Sequence, residues 1–190
     1  MKQTVGIPAL ALLLTAAPAM AQSNTATGTV AIDGRVTPVC ILGNPVPATV
    51  NLGQISASSG PRTGKIDTIT PRTVILPASY CNFAGSVVRI TATALTSSDT
   101  TSPQPGFTRA VNYTAAASGW ATGTSSATSA ALRDGTSPSA SGTGATQPLP
   151  RIADISVTLS SFTTPGDLIL VAGNYSGNVV VTLGPAAFAE

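Results

Sequence analysis

Residues 152–161 read Ile-Ala-Asp-Ile-Ser-Val-Thr-Leu-Ser-Ser. Ile155, Val157 and Leu159 fall on one parity, with Ser156, Thr158 and Ser160 between them. A period of two is the mark of a strand with one face against a core and one toward solvent. The same pattern recurs on both sides. Toward the C-terminus, Asn-Tyr-Ser-Gly-Asn-Val-Val-Val-Thr-Leu (174–183) follows a shorter apolar stretch at 167–172. Toward the N-terminus come 107–116, Ser-Val-Val-Arg-Ile-Thr-Ala-Thr-Ala-Leu (86–95), 73–79, Thr-Val-Asn-Leu-Gly-Gln-Ile (49–55) and 27–40. Turn-forming clusters separate these segments, and none carries a 3.6-residue apolar stripe. Short strands at this spacing predict an all-β sandwich. Residues 118–150, rich in Gly, Ser, Thr, Ala and Pro, read mostly as a long exposed loop, with Trp120, Leu132 and the Asp134-Gly135 turn pointing to an irregular hairpin within it. Within it Trp120 is expected to pack on the sandwich edge, the other reading being a residue that stacks on a ligand ring.

The first residues read as an address. Lys2 supplies a positive start, Val5 to Leu14 a short apolar run, and Ala19-Met20-Ala21 the small-x-small pattern of a signal-peptidase site. Residues 1–21 are therefore expected to be a cleaved signal peptide, leaving about 169 residues from Gln22 onward. The apolar run falls short of the roughly 20 residues needed to span a bilayer, so no membrane insertion is expected.

Composition narrows function by exclusion. Charged residues make up 8% of the chain and the net charge is +2, with no basic stripe to displace counterions from phosphate. Nucleic acid is therefore not an expected partner. Histidine is absent, which removes the commonest general base and metal ligand together. The acidic residues stand singly, and no serine lies in a G-x-S-x-G or S-x-x-K setting. No enzymatic activity, cofactor or metal is expected. Cys40 and Cys81 are the two cysteines, and an even count in an exported chain reads as a disulfide in an oxidising compartment. Closing a loop of roughly forty residues stabilises a fold by about 4 kcal/mol on chain-entropy grounds.

Three features occur in a fixed order: an alternating N-terminal segment running into Cys40, Val-Asn-Leu-Gly-Gln-Ile before a second cysteine, and a closing Leu-Val-Ala-Gly-Asn-Tyr-Ser-Gly-Asn-Val-Val-Val-Thr-Leu. Together they resemble subunits of the chaperone–usher pathway, the fimbrial pilins, and the related spore-coat-protein-U-like secreted proteins. The likeness covers about the first sixty mature residues and the last twenty. It implies an immunoglobulin-like sandwich lacking its last strand and completed by a strand donated from another molecule.

On that resemblance, residues 22–36 form the N-terminal extension and 37–190 the pilin-like body. Ala26, Gly28, Val30 and Ile32 are then the donor side chains, with Gly28 where no Cβ fits. Tyr175, Val179, Val181 and Leu183 line the groove that receives a neighbour's extension. The Cys40–Cys81 bridge corresponds to the family's own. The implied partners are further copies of the chain, a periplasmic chaperone and an outer-membrane usher. The implied location is the cell surface, reached through the periplasm, and the implied role is a fibre serving adhesion or biofilm formation. One feature departs from the pilins, which often carry a penultimate aromatic residue; this chain ends Phe188-Ala189-Glu190. The other expectation is a monomeric secreted adhesin or glycan-binding module using the 118–150 loop, with Trp120 or Tyr113 stacking on a sugar.

Overall fold

The computed structural model describes residues 27–136 and 139–187. The expected signal peptide and Ala26 lie outside the described residues. The chain divides into two units, 1–36 and 37–190. In the first, residues 27–36 form no strand and are exposed, Val30 at 83% and Ile32 at 92%. The expected strand over 27–40 is thus confined to its last residue.

The second unit is all-β. Its strands are β1 (Cys40–Ile41), β2 (Arg72–Cys81), β3 (Ser86–Ala92), β4 (Leu95–Ser97), β5 (Phe107–Thr108) and β6 (Ala110–Ser118). There follow β7 (Ser125–Thr128), β8 (Ala140–Thr143), β9 (Arg151–Thr163), β10 (Ile169–Leu170), β11 (Tyr175–Ser176) and β12 (Val179–Pro185). One sheet runs β1-β2-β9-β6-β4-β11, with β7 also paired to β6; the other runs β12-β3-β8. Both are antiparallel throughout, and β5 and β10 form a separate parallel pair.

Alternation decides which face each strand buries. Ile155 and Val157 of β9 and Tyr113, Ala115 and Ala117 of β6 face Val88, Ile90 and Ala92 of β3 in one core. From β12, Val179, Val181 and Leu183 pack against the same core, while Val180 points outward. The disulfide between Cys40 and Cys81 joins β1 to the end of β2, with Cys81 buried in that core. Among the described residues no helix is long and apolar enough to cross a membrane. The disulfide is consistent with a secreted protein.

Several expectations from sequence are corrected. Residues 49–55 alternate but pair with no strand; only isolated bridges flank them, Val46 with Ile75 and Ser56 with Ile66. Asn51 Oδ1 accepts from Gly53 N–H at 2.8 Å, which turns the backbone away from extended geometry. Residues 118–150 are not simply an exposed loop, because β7 and β8 lie within them. A Cβ on Gly142 would collide with the Ser126 carbonyl, so β8 can lie against β7 only because that residue is glycine. The 167–172 segment shortens to β10, and 174–183 divides into β11 on one sheet and β12 on the other.

Trp120 is buried, at 2% exposure. Its Nε1–H donates to Ser86 Oγ at 3.2 Å, and its carbonyl accepts from Gln147 Nε2 at 2.8 Å. With few aromatics and an alanine-rich β6, this indole is a bulky member of the main core. Trp120→Ala is expected to cost about 3–5 kcal/mol, read as a lowered midpoint in denaturant unfolding; Ser86→Ala should cost about 1 kcal/mol.

Candidate functional site

The two sheets meet closely on one side and stand apart on the other. On the closed side Ser125 Oγ donates to the Gly142 carbonyl at 2.6 Å, tying β7 to β8. On the open side β12 ends its sheet and has one strand neighbour, β3, among the described residues. Its other edge borders a cleft of about 650 Å³. The floor is apolar and comes from the sheet opposite β12: Leu76 of β2, Leu95 of β4, Val157 and Leu159 of β9, and the Tyr113–Phe162 pair of β6 and β9. Those two rings stack with centroids 5.7 Å apart and planes 24° from parallel.

A β-bulge makes this stack possible. Pairing of β6 with β9 shifts register between Asn112 and Thr114, and Ser161 adopts φ 54°. The alternation set by Ile155, Val157 and Leu159 therefore slips one position, and Phe162 lands against Tyr113.

The rims differ in kind. One is β12 itself, Val179 to Val181. The other is the irregular segment 42–52, whose Val50 and Leu52 are half-buried along the cleft. The bridge between Val46 and Ile75, at 2.8 and 2.9 Å, and the bond from Gly43 N–H to Ser79 Oγ at 3.0 Å anchor this rim to β2. The start of β12 is held more firmly. Thr93 N–H donates to the Asn178 carbonyl at 3.0 Å, Asn178 N–H to Thr93 Oγ1 at 3.0 Å, and Tyr113 Oη–H to the Asn178 carbonyl at 3.2 Å. A Cβ on Gly177 would press on the Ala94 carbonyl, so the chain crosses between the sheets there only as glycine.

Four residues were expected to line the groove. Val179 and Val181 do so. Leu183, like Val179 and Val181, packs against the core. Tyr175 sits on β11 and lines a second hollow of about 780 Å³, bounded by residues 49–56 and 170–177. Its Oη–H donates to the Val171 carbonyl at 2.7 Å. The floor residues Leu76, Tyr113, Leu159 and Phe162 come from strands whose alternation was legible, but their convergence depends on the bulge. The expected donor residues Gly28, Val30 and Ile32 are exposed within the first unit.

The electrostatics of the second unit lie away from the cleft. Asp167 bridges Lys65 and Arg62, each at 2.9 Å, and both cations hold its carboxyl below the usual range. Among the described residues no group of three or more His, Cys, Asp or Glu could hold a metal ion. Trp120 and Tyr113 are both buried, so neither presents a face for a sugar ring. Compared with protein-family models, curated proteins and solved structures, the chain shows no match.

Burial pushes the Tyr113 hydroxyl up to about 12. A raised folded-state value means the folded chain holds this proton more tightly than the unfolded chain. Its stabilising contribution is complete below pH 10, the ordinary tyrosine value, and is lost as pH rises toward 12. Unfolding measured between pH 9 and 12 should show this decline, and Tyr113→Phe should flatten it. An unchanged decline in the phenylalanine variant would contradict the assignment.

Proposed function

We propose that the chain is a structural subunit of a bacterial surface fibre, polymerised by insertion of one copy's N-terminal extension into the open cleft of the next. The observation that carries this reading is the cleft itself: an apolar floor beneath a strand edge that has no strand partner among the described residues. Bare edges of this kind recruit another strand, and strand addition satisfies the backbone while alternate side chains enter the apolar floor. In this reading β12 is the last strand of an incomplete immunoglobulin-like sandwich.

The extension has the chemistry the cleft requires. Ala26, Gly28, Val30 and Ile32 share one parity and carry small or aliphatic side chains, and the residues between them are polar or small. Full burial of Val30 and Ile32 would contribute about 3–6 kcal/mol together, before the new backbone hydrogen bonds are counted. Because donor and acceptor are different surfaces of one chain, the contact is head to tail and propagates rather than closing.

Export through the periplasm to the surface belongs to the same proposal, as do a chaperone that occupies the cleft beforehand and an usher that guides assembly. A hydroxyl-rich, sparsely charged exterior suits a fibre with no chemistry of its own, serving adhesion or biofilm formation.

The test is an unboiled SDS gel of material sheared from cells that carry the assembly machinery. Strand-exchanged polymers dissociate slowly, so the expected pattern is a ladder that collapses to one band on boiling. Deleting 22–32 should leave monomer only. Val181→Arg, which places a charge in the cleft, should do the same. A wild-type chain that runs as monomer in both lanes, or a deletion that still forms a ladder, would overturn the proposal.

A further inference from the structure

The β1–β2 ladder ends at the Cys40–Cys81 rung, yet the chain before it is still held. Asn82 N–H donates to the Val39 carbonyl at 3.1 Å. The Asn82 side chain then does what a further β2 residue would do: Oδ1 accepts from Val39 N–H at 2.8 Å, and Nδ2–H donates to the Thr37 carbonyl at 2.9 Å. A primary amide offers the same acceptor and donor as a peptide group, so one side chain extends the ladder back to Thr37 while β2 turns away.

Proline at position 38 completes the arrangement. It has no N–H to satisfy, it fixes its own φ, and it restricts Thr37 to extended conformations. Every backbone polar group from the Thr37 carbonyl to the Val39 carbonyl, apart from the Pro38 carbonyl, thus has a partner on Asn82. The bonds are exposed, so each is modest alone. The adjacent disulfide holds the two chain segments together, which lowers the entropy each bond must overcome.

We propose that Asn82 is the positioning residue that makes Thr37–Val39 part of the folded body and so sets the stiffness of the joint between successive subunits. This rests on the fibre reading above. If Val30 and Ile32 are seated in a neighbouring copy, the covalent joint between the bodies is Asp33 to Val36, about 13 Å when extended. Without the Asn82 bonds, Thr37 to Val39 would join it and nearly double the flexible length. Asparagine is specific for the task. Aspartate keeps the acceptor for Val39 N–H but has no donor for Thr37, and sets two oxygens against each other. Alanine keeps neither side-chain bond.

The experiment compares full-length wild type, Asn82→Ala and Asn82→Asp by three readouts: thermal unfolding, amide exchange at Val39, and bend-angle distributions of fibres in electron micrographs. For Asn82→Ala, exchange at Val39 should rise about tenfold and fibre persistence length should fall about twofold. The thermal midpoint should stay close to wild type, because the core is untouched. Asn82→Asp should keep Val39 protected while its fibres bend as the alanine variant's do. Alanine-variant fibres as straight as wild type, or unchanged Val39 exchange, would overturn the inference and leave the fibre reading standing. A wild-type chain that forms no fibres would instead remove the reading on which the inference rests. A merely stabilising role for Asn82 would lower the midpoint and fibre yield without changing curvature, which also contradicts the proposal.

Discussion

The second unit is organised around an imbalance in strand pairing. On the β7–β8 side the two sheets close on one another, through Gly142 against Ser126 and through the Ser125 hydroxyl. On the β12 side a strand of seven residues keeps one edge without a strand partner among the described residues. Backbone amides and carbonyls along such an edge gain most from a partner that offers a matching ladder. Beneath it lies an apolar floor built from four strands of the opposite sheet, β2, β4, β6 and β9. Side chains that would complete a core face an opening instead, and both deficits can be met by the same object, an extended segment with alternating aliphatic residues.

The rest of the molecule can be understood as holding that opening in place. Tyr113 ties the floor to the start of β12 through the Asn178 carbonyl, and its ring stacks on Phe162. The Cys40–Cys81 bridge fastens the beginning of the body to the end of β2, where Asn82 takes over the pairing. The far rim, residues 42–52, is bonded to β2 at its start, through Gly43 N–H to Ser79 Oγ and through Val46 with Ile75, which leaves Val50 and Leu52 lying along the cleft without a ladder. A rim of this kind can straighten into a strand at little cost once a partner lies beside it, since few existing bonds must break.

What the sequence disclosed follows from what periodicity measures. In β3, β6, β9 and β12, alternating Val, Ile, Ala and Leu mark the buried face. These strands could be read directly, as could the disulfide and the all-β class. Periodicity records which face is buried but not whether a partner strand exists. That is why 49–55 alternates as a strand does and yet pairs with none. β7 and β8 were hidden for the opposite reason: their close contact depends on glycine, serine and alanine, which carry no hydrophobic signal. The cleft floor was only half legible. Leu159 follows the pattern of its strand, but Phe162 reaches Tyr113 through the bulge at Ser161, where the phase of the strand shifts. Tyr175 and Val179 share a parity in sequence and part company at Gly177, where the chain crosses from one sheet to the other.

The most direct test of a strand-accepting cleft is amide hydrogen exchange along β12 and residues 48–52, compared between isolated chain and assembled material. If a neighbour's extension fills the cleft, amides on the open edge of β12 exchange readily in the isolated chain and become protected after assembly, together with those of Val50 and Leu52. Amides on the β3 side of β12 should be protected in both states. Equal exchange at the open edge before and after assembly would show that no strand is added there, and the central claim would fail.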